Sequence, residues 1–407
     1  MSSAATPAIS QAATPAAGLY VHVPFCSAIC PYCDFAVLRG GRQRRASFVA
    51  SLRREIDLWR RAGADGWQAP CDTIYFGGGT PSLLEPAEIA LLVDDLRAAL
   101  PVVAGAALFL EANPEDVNAA TLAAWRQLGV ATLSLGIQSF HPEALRFLGR
   151  RHTAEQAAAS VRLAGAAGFA TVSIDLIYGL PEQPLAAWRA TIEEAVRLRP
   201  DHLSCYQLTI APGTPFGRRA ARGERLKLPE PRQAELFDFT HSFLGDHGYA
   251  AYEVSNFARH PEHRSRHNQK YWDHTPYLGL GPSAHSFDGR RRRWWNERRL
   301  PAYQARIAAG ERPVAGGEEL APAALALEAL MLGLRTTDGI DLGRFRARFG
   351  CDLLGRNRQL VERLTAAGLL EARPGRLVPT PAGLAVADAL AGAFELEPED
   401  FEQDGGS

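Results

Sequence analysis

From Gly18 to about Tyr252 the chain repeats one pattern six times: a short apolar, β-rich run followed by an amphipathic segment. The runs are Leu19–Val23, Thr73–Phe76, Ala107–Glu111, Thr132–Gly136, Thr171–Ile177 and His202–Thr209. Most are continuously apolar, the pattern of strands buried on both faces. Between them, Phe48, Leu52, Ile56 and Trp59 make one helical stripe, Pro86 suits a first helical position, Asn118 suits an N-cap, and Thr153 with Gln156 makes a capping box. Six strand–helix units in series predict a parallel sheet with right-handed crossovers, closed into an open or partial (β/α)6 barrel.

Beyond Tyr252 the texture changes. Residues 252–300 are rich in His, Arg, Asn and aromatics, with Gly279, Gly281 and Gly289 read as breakers. From about Pro313 to Phe394 helical patterning returns around a hairpin-like stretch, Gly368–Thr380, as in a small winged-helix-like unit. The expected division is a tail over 1–17, a barrel with its extension over 18–312, a helical unit over 313–394, and an acidic tail over 395–407. A winged helix suggests DNA by analogy, but no basic recognition helix stands out and the formal net charge is −1. Nucleic acid is therefore not an expected partner. No run of 18 apolar residues occurs, so no membrane span is expected. The first 17 residues lack the features of a targeting segment.

Three of the six cysteines fall within eight positions directly after the first strand: Tyr20-Val-His22-Val-Pro-Phe-Cys26-Ser-Ala-Ile-Cys30-Pro-Tyr-Cys33. So few cysteines in a chain of 407 residues make no disulfide framework, and their crowding points to metal in a reducing cytoplasm. The count of three is the informative part. A structural zinc ordinarily takes four closed ligands, and an electron-transfer cluster four cysteines. A [4Fe-4S] cubane held by three thiolates leaves one iron open to the amino and carboxylate groups of a methionine. Two plainer occupants fit the same residues: zinc completed by His22, or a redox thiol pair at Cys30 and Cys33. Cys71, Cys205 and Cys351 stand alone and read as buried small hydrophobes.

The other strands also end in polar groups or glycine, where parallel α/β folds bind ligands. Gly77-Gly78-Gly79-Thr80-Pro81 follows the second strand, and Glu111-Ala-Asn113-Pro114 ends the third. Gly136-Ile-Gln138-Ser-Phe140 ends the fourth, with Arg150 twelve residues after Gln138; Asp175 interrupts the fifth, and Tyr206-Gln207-Leu-Thr209 ends the sixth. Singly, each has a bland reading as a cap or a loop hydrogen bond. Their convergence on one end of one sheet is what marks a site.

Together, the cysteine segment, Gly77–Pro81, Gly136-x-Gln138-x-Phe140 and Ile174-Asp-Leu-Ile-Tyr-Gly-Leu-Pro181 resemble the oxygen-independent coproporphyrinogen III oxidase-like radical S-adenosylmethionine (SAM) family, over roughly Gly18 to Phe394. The resemblance implies a radical SAM barrel with a C-terminal helical domain and a [4Fe-4S] cluster on Cys26, Cys30 and Cys33. It also implies that Tyr20, Gly78, Thr80, Glu111, Gln138, Arg150, Asp175 and Thr209 surround SAM. The dehydrogenases of the family carry a further cysteine two residues after the third and a longer N-terminal extension. Here that position is Phe35. Both departures, with His267-Asn268-Gln-Lys-Tyr271-Trp272, resemble the haem-chaperone branch. That branch implies haem bound through His267, with His285 a weaker candidate. It further implies delivery to an acceptor such as a respiratory enzyme. Homodimer formation and a peripheral membrane contact are compatible with it. The alternative that the family offers is an enzyme, using one-electron cleavage of SAM in the oxidative decarboxylation of a porphyrinogen propionate.

Overall fold

A computed structural model describes residues 16–396. The expected tails therefore fall almost wholly outside the described residues, although Ala17 already belongs to the first strand. Strands β1 (Ala17–Val23), β2 (Cys71–Gly78), β3 (Val102–Ala112), β4 (Val130–Gln138), β5 (Thr171–Tyr178) and β6 (His202–Gln207) pair in parallel in the order 1-2-3-4-5-6. Helices cross over between successive strands. In the helix Arg42–Arg61, Phe48, Leu52, Ile56 and Trp59 are all buried, as the stripe predicts. Asn118 caps the helix Ala119–Gln127 by accepting from the backbone N–H groups of Ala120 and Thr121. Thr153 and Gln156 form their capping box at the helix Ala154–Ala166.

The two faces of the sheet differ more than the apolar runs suggest. Leu19, Val21, Ile74, Phe76, Leu108, Leu110, Leu133, Leu135, Val172 and Ile174 lie in the main core with the helices. Side chains alternate along a strand, so Tyr20, His22, Tyr75, Phe109, Glu111, Ser134 and Asp175 share the opposite, concave face. That interior is polar and aromatic. Reading the strands as apolar on both sides is corrected here.

The segment after Tyr252 contributes strands to the sheet. Beyond β6 lie β7 (Ala250–Ala251) and β8 (Asn256–Ala258), with β8 antiparallel to β6. On the other side β9 (Tyr277–Leu280) runs parallel to β1. Antiparallel β10 (His285–Phe287), β11 (Arg292–Asn296) and β12 (Val314–Glu319) follow it, completing a twelve-stranded sheet. Gly279 is not a breaker; it lies inside β9, where a Cβ would come within 2.1 Å of the His285 carbonyl oxygen. The helix Arg266–Trp272 closes the N-terminal end of the barrel. It carries His267 over Gly18, where a Cβ would meet the imidazole at 2.9 Å.

One buried charge ties this extension to the barrel. Glu55, on the apolar stripe of Arg42–Arg61, accepts from the Gly281 N–H (2.8 Å), the Asn296 side-chain amide (2.7 Å) and the Tyr303 hydroxyl (2.6 Å). Burial raises its carboxyl to about 7.

The C-terminal unit is built on a second core, from Leu320 through Phe394, that also takes in Phe287 of β10. Val314–Glu319, expected at its start, is instead the edge strand of the large sheet. Helices Pro322–Leu334, Leu342–Phe349 and Arg358–Ala366 pack with a three-stranded sheet of β13 (Ile340–Asp341), β15 (Arg376–Pro379) and β14 (Leu370–Arg373), in that order. Its hairpin falls within the expected Gly368–Thr380.

Candidate metal centre

The cysteine loop leaves the C-terminal end of β1 and is pinned along its length. Cys26 N–H donates to Leu38 O (3.0 Å), and Leu38 N–H donates back to Pro24 O (2.8 Å). His22 Nε2 meets Ala36 O (3.0 Å), and Arg298 donates to Asp34 O (2.9 Å). The three thiols line a cavity of about 450 Å³ at the C-terminal ends of the parallel strands. Gly78, Thr80, Glu111, Gln138, Arg150, Asp175 and Thr209 line the same cavity. Ten of the twelve candidate residues thus meet in one place, drawn from six strands, as end-of-strand convergence predicts.

The local backbone is shaped for this approach. Gly78 has φ +105°, and a Cβ there would lie 2.5 Å from the His22 ring; at Gly79 it would lie 2.6 Å from Phe25 O. Gln138 adopts φ +66°, a conformation that costs a non-glycine residue roughly 1–3 kcal/mol and concentrates at functional sites.

A polar network connects two of the thiols. Thr80 Oγ1 lies 3.6 Å from Cys26 Sγ, the Asn113 amide donates to Thr80 Oγ1 (3.1 Å), and Arg150 Nη2 donates to Asn113 Oδ1 (2.6 Å). Arg150 Nη2 also meets Gly136 O (2.8 Å), while Nη1 reaches Cys30 Sγ at 3.5 Å. Arg150 Nε is buried with no hydrogen-bond partner. His152 braces the turn after Arg150 through Nε2 to Ile137 O (3.0 Å). On the other wall, Glu111 accepts from the Tyr75 hydroxyl (2.7 Å) and the Gly78 N–H (3.2 Å), and Ser134 donates to Asp175 (3.4 Å). Burial raises Glu111 to about 7 and Asp175 to about 6.

These groups fit a cationic, carboxylate-bearing ligand beside an iron–sulfur cluster. Glu111 and Asp175 form no ion pair among the described residues, and the Arg150 guanidinium shares their cavity, so the wall can meet an ammonium, hydroxyls and a carboxylate. Burial raises the Cys26 thiol to about 11 and moves Cys33 the same way, so both gain from iron, which binds thiolate and releases the proton. The zinc alternative loses its fourth ligand: His22 Nδ1 is engaged by the Tyr20 hydroxyl (3.1 Å) and Nε2 by Ala36 O. Among the described residues, no three His, Cys, Asp or Glu side chains converge as a single-ion site requires.

Two candidates lie elsewhere. Tyr20 faces a neighbouring cavity and holds His22. His267 sits at the opposite end of the barrel, 1% exposed, with Nδ1 bonded to Thr73 Oγ1 (2.9 Å) and Nε2 to the Tyr271 hydroxyl (3.0 Å). Burial lowers it to about 3. As placed, both nitrogens are engaged within the protein. The residues not singled out from sequence are Asn113, Ser134, Tyr206 and Tyr32, all on the cavity wall. Of these Asn113 and Tyr206 carried a signal, through their places at the ends of the third and sixth strands.

A partial parallel barrel with three cysteines on its first loop, and carboxylates and an arginine on the loops that follow, defines a radical SAM protein. Residues 20–195 match the radical SAM superfamily, and residues 320–386 match the HemN C-terminal domain. The fold is similar to coproporphyrinogen III oxidase (HemN) from Escherichia coli, a radical SAM enzyme, with a TM-score of 0.77 and 25% identity over 94% of this chain and 91% of that one. More particularly, the chain belongs to the family of Heme chaperone HemW. It is 38% identical to the Mycobacterium tuberculosis protein of that name over 92% of this chain and 93% of the relative. The Bacillus subtilis protein is 32% identical over 92% and 98%. Membership of the superfamily implies a [4Fe-4S] cluster and SAM. No helix among the described residues is long and apolar enough to cross a membrane.

Proposed function

We propose that this chain is a haem carrier, binding haem in the cytoplasm and passing it to an acceptor such as a respiratory haem protein. The observation that carries the reading is the likeness, at 38% and 32% identity over nine-tenths of the chain, to proteins named for haem chaperoning. Phe35 supports it: it is 62% exposed at the lip of the cysteine cavity, where the family's dehydrogenases place a further thiol.

In this reading Cys26, Cys30 and Cys33 hold the cluster, and the Thr80–Asn113–Arg150 network orients two of the thiolates. Arg150 meets the carboxylate of SAM. Glu111 and Asp175 receive hydroxyl or ammonium protons, Gly78 leaves room for the ligand, and Gln138 and Thr209 border it. Tyr20 acts at one remove, holding His22 against Ala36 in the loop. When bound, the cluster supplies a one-electron reductant next to a sulfonium. The carrier would use this centre for assembly, dimer formation or haem loading, with a peripheral membrane contact bringing it to a membrane-bound acceptor.

A second reading is favoured by one observation: the three thiols, Glu111, Arg150 and Asp175 line one cavity in a fold like that of coproporphyrinogen III oxidase. The chain would then be an oxygen-independent coproporphyrinogen III dehydrogenase. Anaerobic incubation with coproporphyrinogen III, SAM and a reductant separates the two. The carrier reading predicts no protoporphyrinogen and transfer of bound haem to an apo-acceptor; protoporphyrinogen formed at catalytic turnover would replace it with the enzyme.

A further inference from the structure

The polar network beside the thiols has a direction, set by what each member can do. A guanidinium only donates. Arg150 Nη2, 2.6 Å from Asn113 Oδ1, therefore holds that oxygen and turns the Asn113 NH₂ toward Thr80, where it donates to Oγ1 at 3.1 Å. With that lone pair taken, the Thr80 hydroxyl proton points at Cys26 Sγ, 3.6 Å away. The chain runs one way, from a cation through two neutral groups to a sulfur, and each bond polarises the next. Thr80 is 4% exposed, so little water competes for its hydroxyl.

The three sulfurs are not served alike. Cys30 meets Arg150 Nη1 directly at 3.5 Å and also accepts from the Tyr32 hydroxyl. Cys33 accepts from the Phe35 backbone N–H. Among the described residues, Cys26 takes its donor from Thr80 alone. Holding iron needs only the thiolates, and meeting a carboxylate needs only the arginine, so neither task calls for the path through Asn113 and Thr80. Donors on cysteine sulfur do change how readily a cluster is reduced. An entering electron adds negative charge to the cluster and its sulfurs, and a hydrogen bond there favours the reduced form and raises the potential.

We infer that Arg150 sets the reduction potential of the cluster, acting on Cys30 directly and on Cys26 through Asn113 and Thr80. Asn113 and Thr80 are then positioning residues for one hydroxyl proton. In the step they tune, one electron passes from an external one-electron donor to the cluster, no bond breaks, and the Thr80 proton stays on its oxygen. This assignment rests on the reading that Cys26, Cys30 and Cys33 hold a [4Fe-4S] cluster, and the test separates the failure of one from that of the other.

The experiment is a dithionite titration of the anaerobically reconstituted full chain without SAM, followed by electron paramagnetic resonance, with iron counted in every sample. Thr80→Val keeps the shape and removes the hydroxyl, so its midpoint should lie below that of wild type; Thr80→Ser should restore it. Asn113→Leu should lower the midpoint too, and should move it no further in a Thr80→Val background, because its effect passes through Thr80. If Thr80→Val does not hold four irons, Asn113→Leu, one residue further from the sulfur, reads the same shift. Midpoints equal to wild type overturn the tuning while the cluster stands, and fully additive shifts overturn the path through Thr80. A wild type that assembles no four-iron cluster brings down the underlying reading instead.

Discussion

Replacing Glu55 by glutamine tests whether the sheet extension is docked through a buried carboxyl. In the unfolded chain this group titrates at its ordinary 4.5; in the folded protein burial lifts it to about 7. At roughly 1.4 kcal/mol per pKa unit, keeping it ionised in the fold costs about 3 kcal/mol. The direction follows from proton counting. Between pH 4.5 and 7 the folded chain holds a proton that the unfolded chain has released, so this contribution is complete below about pH 4.5 and is lost as pH rises through about 7. Glutamine cannot titrate. It keeps one strong acceptor for the Gly281, Asn296 and Tyr303 donors and turns an NH₂ toward the others, costing roughly 1–3 kcal/mol at all pH values. Urea unfolding of both proteins at pH 5 and pH 8 should therefore find Glu55→Gln the less stable at pH 5. Its relative stability should then improve by about 2–3 kcal/mol at pH 8. A difference between the two proteins that stays flat across this range would refute a buried Glu55. It would also remove the anchor that sets Gly281 and Asn296, and so His285, against the barrel.

Four further outcomes follow from the sites. Cys30→Ala should abolish the broad absorption of an anaerobically reconstituted [4Fe-4S] cluster, and iron content unchanged from wild type would contradict the assignment. Arg150→Met should weaken SAM binding to the reconstituted protein by at least tenfold in isothermal calorimetry, because a charge-assisted carboxylate contact is worth about 1.5–3 kcal/mol. Raising the pH from 6 to 8 should strengthen SAM binding to wild type, since Glu111 and Asp175 ionise across about 7 and about 6 and meet a cation when charged; equal affinity at both values would remove them from the ligand. His267→Ala should destabilise the fold by roughly 2–4 kcal/mol in urea, from lost packing on Tyr75 and lost bonds to Thr73 and Tyr271; a change within about 0.5 kcal/mol would mean it is not buried.

The barrel and its ligand end were legible because each rests on local patterning. Apolar runs, the Phe48-to-Trp59 stripe, the Asn118 cap and glycine or polar residues at strand ends are short-range signals. What stayed hidden depends on tertiary contact. Tyr75 and Phe109 count as apolar in a strand pattern, yet they face a polar interior. Glu55 resembles any glutamate on a helix until the Gly281 segment folds over it. Asn113 gained meaning only when Thr80 and Arg150 arrived on either side. The extension was misjudged because its strands are three to six residues long and interrupted by glycines, one of which is the close contact that lets β9 and β10 meet. The residues around His267 alone read as packing aromatics, and its ligand role came only from the family resemblance; its bonds to Thr73 and Tyr271 are tertiary contacts that no local pattern shows.

The central claim is an iron held short of a protein ligand at Cys26, Cys30 and Cys33. Mössbauer spectroscopy of ⁵⁷Fe-reconstituted, oxygen-free protein, recorded before and after adding SAM, addresses it directly. One iron of four should differ from the rest and shift when SAM is added. Four equivalent irons indifferent to SAM, or zinc in place of iron, would contradict it.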